Sequence, residues 1–402
     1  MIKKKRIAVL GATGSIGKSS LDIISRDREN FEVVLLAARS SRRKLEELSK
    51  QWPSAVCLLT DEKDGKEKLL SSITDFQPDI TINGISGAAG LEPSLAAIKA
   101  GSHLALANKE TIVMAGHLAL RLAKENNVNI IPVDSEHSAI FHLLRFFQEE
   151  PHAETSNQRF ARRREEEKEN SNDLISEIIL TASGGPFRNF TLQEMENVTA
   201  QDALAHPTWN MGPKITIDSA SMANKGLEII EACVFFNMSP DKIKVVIHPQ
   251  SIVHSMIRLC NGVIYAQLSK PDMRHPIHDA IYWPVTRPLT LEPVSFDSLT
   301  LEFLKPNLEI FPMLSLAWEA AKKSALYPCA YNAANETAVA AFLEQRIKFT
   351  DIPKITEHVL QSDWSADCSD LEVILKADSD ARLKATEYLN HRVHGVSRSF
   401  GL

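Results

Sequence analysis

Asp134 and Glu136, in the hexapeptide Pro132-Val133-Asp134-Ser135-Glu136-His137, follow a largely apolar run at 128–131. The run predicts a short buried strand over 128–133, and parallel α/β sheets bind ligands at the carboxyl ends of their strands. On an extended chain residues i and i+2 share a side. The two carboxylates would then face one point, as a hard divalent cation such as Mg²⁺ or Mn²⁺ requires. Alone, the hexapeptide also reads as a strand end with solvated acids. Farther along, Asp218 to Glu228 (DSASMANKGLE) gathers hydroxyls, an amide, a lysine and a carboxylate. Ser219, Asn224 and Lys225 suit a phosphate and Glu228 a third metal carboxylate, although a capped helix start would use the same residue types.

Gly11, Gly14 and Gly17 follow the apolar run at 7–10 and open a helical pattern. In that setting glycines allow a tight turn, and helix N–H groups can hold a pyrophosphate. Where an NAD site carries an acid, the end of the second strand reads Ala38-Arg39-Ser40-Ser41-Arg42-Arg43. Cations and hydroxyls there favour the 2′-phosphate of NADP(H). Asn108-Lys109-Glu110 also follows a predicted strand; its lysine could touch substrate or hold the acidic cluster, or the segment could form a surface turn. Ser183 lies in Thr181-Ala182-Ser183-Gly184-Gly185-Pro186-Phe187, a plausible anion nest. The segment 206–214 (HPTWNMGPK) sets Trp209 and Met211 among Pro and Gly, as a lid or a packed loop would. His248 and His254 stand at another strand end, as catalysts or as structural groups.

These residues need a scaffold. Strands alternate with helices from residue 7 to about 133, which predicts βαβ units and a parallel sheet. Order returns at 175–181 after the charged stretch 158–170, read as an exposed loop or a salt-bridged helix. The fold expected is α/β: an N-terminal Rossmann-like parallel sheet (1–133), a central α/β catalytic domain (134–283), a Pro-rich linker (284–307) and a C-terminal helical domain (308–402) whose end, from His391, is loosely held. With 402 residues, one core would not suffice. The net charge of −6 argues against nucleic acid as partner. Five scattered cysteines without a CxxC pair fit reduced thiols. With no apolar run long enough for a bilayer and no signal-peptide pattern, the expectation is a cytoplasmic protein.

Taken together, GATGSIG, GAAGL, LANKE, PVDSEH, TASGGPF, HPTWNMGPK, DSASMANKGLE, HPQSIVHSM, PDMR and NAANE resemble, in order, the 1-deoxy-D-xylulose 5-phosphate reductoisomerase family. The resemblance implies NADPH, Mg²⁺ or Mn²⁺, and conversion of that phosphosugar to 2-C-methyl-D-erythritol 4-phosphate in non-mevalonate isoprenoid synthesis. The chemistry implied is retro-aldol cleavage and re-addition, then hydride reduction, in a V-shaped homodimer. It implies Asp134, Glu136 and Glu228 as metal ligands. Lys109, Ser135, Glu136, Ser183, His206, Ser219, Asn224, Lys225 and Glu228 become substrate contacts, and Lys109, Glu136, His206 and Trp209 catalytic groups. Thr13, Gly14, Ser15, Ile16, Ala38, Arg39, Ser40, Asn108, Glu110, Gly212 and Met273 become cofactor contacts. Thr208 and Pro213 depart from the family pattern in the lid, as does the long 159–170 stretch. Two alternatives stand beside this reading: a metal-dependent NADP oxidoreductase acting on another polyol phosphate, and a non-catalytic NADPH-binding regulator.

Overall fold

The computed structural model describes residues 4–148, 174–205, 208, 209 and 211–397. Its first unit runs β1 (Lys5–Leu10), α1 (Ser15–Ser25), β2 (Phe31–Ala38), α2 (Arg42–Gln51), β3 (Val56–Leu59), α3 (Gly65–Phe76), β4 (Ile80–Asn83), α4 (Leu91–Lys99), β5 (His103–Leu106), α5 (Lys109–Glu125) and β6 (Ile130–Pro132). The strands are all parallel, in the order β3-β2-β1-β4-β5-β6. That order reverses between β1 and β4, which opens a ligand crevice at the carboxyl ends. Ile7, Ala8, Val9 and Leu10 are fully buried, as a central strand covered on both faces must be. The short edge strand β3 buries only Leu59 deeply, so its four residues carry too weak a pattern to be read from sequence. The expected helix at 88–100 is a 3₁₀ turn (Ala88–Gly90) followed by α4.

The second unit contains α6 (Ser135–Gln148), β7 (Ile175–Ala182), α7 (Leu192–Met195), α8 (Ala200–Ala203), α9 (Pro213–Ala220), α10 (Ala223–Phe235), β8 (Ile243–Ile247), β9 (Val253–Leu259) and β10 (Ile264–Leu268). Its mixed sheet has the order β10-β9-β7-β8, with β7 parallel to β8 and antiparallel to β9. The charged stretch 158–170 lies outside the described residues.

α11 (Arg274–Tyr282) does not stay with this second sheet. Ile277, Ala280 and Ile281 join Ile7, Val9, Leu21 and Ile24 in one buried cluster. Tyr282 meets Phe31 edge-on with ring centroids 5.1 Å apart, and its hydroxyl donates to Asp27 at 2.5 Å. The expected 134–283 unit therefore hands its last helix back to the first sheet, where an apolar face beside α1 needs cover. Irregular chain follows, touching the second sheet where Leu304 bridges Ile247. α12 (Pro312–Lys323), α13 (Tyr327–Leu343), α14 (Asp351–Leu360) and α15 (Leu371–Ser397) complete the fold. The helical pattern at 314–343 breaks into two where Ser324 (φ 57°) and Ala325 (φ 49°) turn left-handed. α15 continues helically past His391 to Ser397.

One apolar core joins Leu10, Leu35 and Leu104 of the first sheet, through Ile112 of α5 and Leu227 of α10, to Leu314, Ala338 and Ile374 of the last helices. α5 and α10, whose first turns carry Lys109 and Lys225, are thus anchored from below.

Candidate active site

A cleft of about 320 Å³ opens where the carboxyl ends of the first sheet face β7, α9 and α10. Of the expected site residues, Gly14, Ser15, Ile16, Lys109, Glu110, Asp134, Ser135, Glu136, Ser183, Trp209, Gly212, Ser219, Asn224, Lys225, Glu228 and Met273 line it. Thr13, Ala38, Arg39, Ser40 and Asn108 do not. Arg39 and Ser40 are exposed at the end of β2, and the Ala38 side chain is buried in the core. His206 lies outside the described residues.

Carboxylate oxygens of Asp134, Glu136 and Glu228 lie within 4.8 Å of one another. The pairing of Asp134 with Glu136 does not come from an extended chain, as the spacing predicts. The chain turns helical at once: the Asp134 carbonyl accepts from Ser138 N at 2.8 Å, and Glu136 stands in the first turn of α6. Convergence at a helix start replaces the period-2 argument. Glu228 arrives from α10, aligned on the same face as Asn224 and Lys225 by helical spacing. An all-oxygen, three-carboxylate cluster opening on a cleft fits a hard dication.

Two ammonium groups balance these acids. Lys109 pairs with Asp134 and reaches Glu228 at 3.2 Å; Lys225 pairs with Glu228 and reaches Glu136 at 2.7 Å. The two ammonium groups therefore offset much of the repulsion among the three carboxylates. Lys225, expected on a phosphate, here faces carboxylates. Burial works against the charge on Lys109, yet Asp134 and Glu228 outweigh it and hold its pKa well above the lysine range. Asp134 is held well below the carboxylate range, because Lys109 and His137 overcome its burial. Burial and the neighbouring Glu136 charge raise Glu228. Asn224 donates to Glu228 at 2.6 Å and leaves its own Oδ1 buried without a partner among the described residues. That orphaned acceptor fits a substrate hydroxyl.

Behind the triad stand two residues that sequence reasoning passed over. His137 Nδ1 lies 3.5 Å from Glu231 and 3.9 Å from Asp134, and its Nε2 meets the Glu228 carbonyl at 3.1 Å. Against burial, Glu231 and Asp134 raise the His137 pKa to about 9; burial raises Glu231 to about 7. Both are fully buried and neither lines the cleft, so they orient Asp134 and Glu228 from the protein side. The i+3 spacing of Glu228 and Glu231 was the available signal.

The glycine turn is built for close approach. Gly11 has φ +79°, and a Cβ there would lie 2.6 Å from the Gly84 carbonyl oxygen; one on Gly17 would lie 2.5 Å from Ala12 backbone. No side chain caps the α1 N-terminus, so its N–H groups remain available to a pyrophosphate, which fits a dinucleotide. Asn108 and Glu110 also make bonds within the protein. Asn108 Nδ2 lies 2.8–2.9 Å from the carbonyls of Ile85 and Gly87, and Glu110 takes Lys214 at 2.7 Å.

Gly184 and Gly185 have φ of +83° and +65°, and a Cβ on Gly185 would lie 2.7 Å from the Ser219 carbonyl oxygen. This contact sets the Ser183 turn against the Ser219 segment, as a shared anion nest requires. Of the two histidines, His248 is structural: its Nε2 accepts from Ile252 N and Val253 N, and its Nδ1 meets the Glu302 carbonyl. His254 lines the cleft, 2.8 Å from Ser269 Oγ, with its pKa lowered by burial.

Sequence comparison reaches the same place independently. The family profile of 1-deoxy-D-xylulose 5-phosphate reductoisomerase matches residues 7–116, and profiles of that enzyme's C-terminal domains match 130–236 and 268–384. The reductoisomerase of Treponema denticola is 43% identical over 401 residues, 98% of this chain and 99% of its own. The chain belongs to the 1-deoxy-D-xylulose 5-phosphate reductoisomerase family. Another member, from Pelodictyon phaeoclathratiforme, is 43% identical across 96% of this chain and all of its own. Among solved structures, the reductoisomerase of Zymomonas mobilis in complex with NADPH superimposes with a TM-score of 0.83, at 38% identity over 97% of this chain and 99% of that one. A reductoisomerase in complex with NADPH, fosmidomycin and magnesium gives 0.85, at 36% identity over 96% and 98%.

Proposed function

We propose that this protein converts 1-deoxy-D-xylulose 5-phosphate to 2-C-methyl-D-erythritol 4-phosphate, using NADPH and Mg²⁺ or Mn²⁺, in isoprenoid precursor synthesis. The observation that carries this reading is one cleft lined by an oxygen-rich carboxylate triad, a glycine turn for dinucleotide and a serine-rich anion nest. A bound dication supplies charge stabilisation to substrate oxygens as the skeleton rearranges, and NADPH supplies the hydride. Asp134, Glu136 and Glu228 hold the ion. Lys109 neutralises the acids, and Ser183 and Ser219 bind the phosphate. Lys225, which stands beside Glu136 and Glu228, would supply the cationic contact to the substrate phosphate. Asn224 Oδ1 and Ser135 fix substrate hydroxyls, and Trp209, with Met211, covers the site and excludes water. Oxidation of NADPH that requires both the phosphosugar and a dication tests the reading; oxidation with a different polyol phosphate, or none, would overturn it.

Lys225→Ala should lose about ten- to a hundredfold in kcat/KM, the weight of one charge-assisted contact. NADPH affinity should barely move. Unchanged substrate kinetics would place Lys225 outside substrate binding.

Cofactor choice rests on Arg39 and Ser40, exposed together beyond β2 in a stretch, 39–43, that carries no acid. Arg39→Asp should raise the NADPH Kd by roughly tenfold or more and leave NADH nearly unaffected. Equal kcat/KM for the two cofactors in the unmodified enzyme would defeat this assignment.

We infer a homodimer joined at the second sheet. Among the described residues β10 is an end strand of that sheet and leaves Ile264 and Tyr265 exposed, with Val263 just before it, an apolar edge that pairing with a second copy would cover. Among the described residues no helix is long and apolar enough to cross a membrane. Five scattered cysteines without a CxxC pair support a reducing, cytoplasmic setting. The cofactor unit comprises residues 1–133 with α11 added, followed by the catalytic unit, the linker and the helical unit from 308.

A further inference from the structure

The sequence Asn332-Ala333-Ala334-Asn335-Glu336 occupies one turn of α13, far from the triad in the chain. Asn332 and Asn335 are fully buried and Glu336 is partly buried, where the last helices approach the cleft. Glu336 Oε1 accepts from Ala88 N at 3.0 Å and from Asn332 Nδ2 at 3.2 Å; its Oε2 takes Arg382 at 2.7 Å, itself held by Asp378. Gly87 makes room, since a Cβ there would sit 2.8 Å from Glu336 Oε1. The loop so gripped is 84–90. Gly84, Ile85 and Ser86 line the cleft opposite the glycine turn, and Asn108 pins the same loop by its carbonyls.

One residue earlier, Asn335 donates to Asp218 at 2.8 Å. Asp218 pairs with Lys214 at 2.8 Å, and Lys214 pairs with Glu110 at 2.7 Å. Lys214 lies in the first turn of α9, directly after the Trp209–Gly212 segment over the cleft. One helical turn of the C-terminal unit therefore holds the cofactor-side loop with one side chain and the lid's exit with the next.

We propose that Glu336 and Asn335 are positioning residues for the reductoisomerase reaction, through which the C-terminal helices set the 84–90 loop for NADPH and the 208–214 segment for substrate. This rests on the function proposed above. Neither side chain touches reactants; each acts through backbone or through Asp218 and Lys214.

The test compares Glu336→Ala, Glu336→Gln and Asn335→Ala with the unmodified full-length enzyme. Three readouts are needed: NADPH Kd by fluorescence, steady-state kinetics, and hydrogen exchange of the cofactor-free protein. Glu336→Ala should raise the NADPH Kd about tenfold, the loss expected for an acceptor of a buried N–H. It should also speed exchange in the peptide covering 84–90. Glu336→Gln keeps an acceptor for Ala88 N and should stay within about threefold of the unmodified enzyme. Asn335→Ala should raise substrate KM more than it lowers kcat, leave NADPH Kd alone, and speed exchange over 208–220. A folded Glu336→Ala with unchanged Kd and exchange overturns the proposal, as does a Gln variant no better than Ala. Should Glu336→Ala not fold, Arg382→Met loosens the same carboxylate from its other oxygen; an unchanged NADPH Kd there also overturns it. If the unmodified protein binds NADPH but turns over no phosphosugar, the function fails and the positioning result stands separately.

Discussion

Glu228→Gln should nearly abolish turnover, by at least about 10³-fold, equivalent to about 4 kcal/mol of transition-state stabilisation. The substitution keeps the shape of α10 and removes one of the three charges that face the cleft. It also changes the balance of the site, because Lys109 and Lys225 both lean on Glu228 and would keep only Asp134 and Glu136 as partners in the triad. Mn²⁺ affinity should fall with activity. NADPH affinity should survive, since the glycine turn and the Arg39 end of β2 lie in the other unit. Chelator should silence the unmodified enzyme, and Mg²⁺ or Mn²⁺ should restore it. Full turnover in chelator, or a Glu228→Gln variant with normal metal affinity, would sink the triad as the metal site.

Lys109→Met should show the reverse face of the same cluster. Lys109 is only 5% exposed and sits between Asp134 and Glu228. Removing one partner of a buried ion pair typically costs about 3–5 kcal/mol, because the remaining charge stays buried and uncompensated. The metal-free variant should therefore melt well below the unmodified protein, and Mn²⁺ should return most of the difference, since a dication can replace the missing ammonium. Activity should stay low even with metal, because Lys109 also faces substrate. The decisive measurement is Tm with and without Mn²⁺. A variant as stable as the unmodified protein without metal, or active to within about threefold, would remove Lys109 from the site.

The three acids could be found from sequence because each follows a local pattern: two leave a short apolar strand, and one ends a run of hydroxyl and amide residues. Their geometry could not. The helix starts at Ser135, so the i, i+2 argument reached the right pair by the wrong conformation. Lys109 and Glu228 are 119 residues apart, and no local periodicity encodes their contact. His137 and Glu231 were missed for the same reason, since a buried ion pair behind a site looks in sequence like an ordinary charged residue on a helix. The parallel sheet was legible from its alternation, whereas β3 and α3 were too weakly patterned to see. Asn108 and Glu110 illustrate a different limit. The family resemblance marks them for a cofactor, whereas their bonds to the Ile85 and Gly87 carbonyls and to Lys214 join segments far apart in the chain and leave no local pattern.

α11 makes the first unit discontinuous in sequence although it is continuous in space. The chain leaves it after β6 and comes back some 140 residues later to cover Ile7 and Val9. A fragment ending at Val133 would expose that apolar face and lose the Tyr282 bond to Asp27, so cutting between the units cannot free an intact cofactor module. Three covalent crossings, one after β6 and one on each side of α11, also restrict how the units move. A single tether lets one body twist freely about it, whereas three crossings and a shared apolar core resist twist. The cleft lies between those bodies, so the connectivity itself keeps its two walls in register.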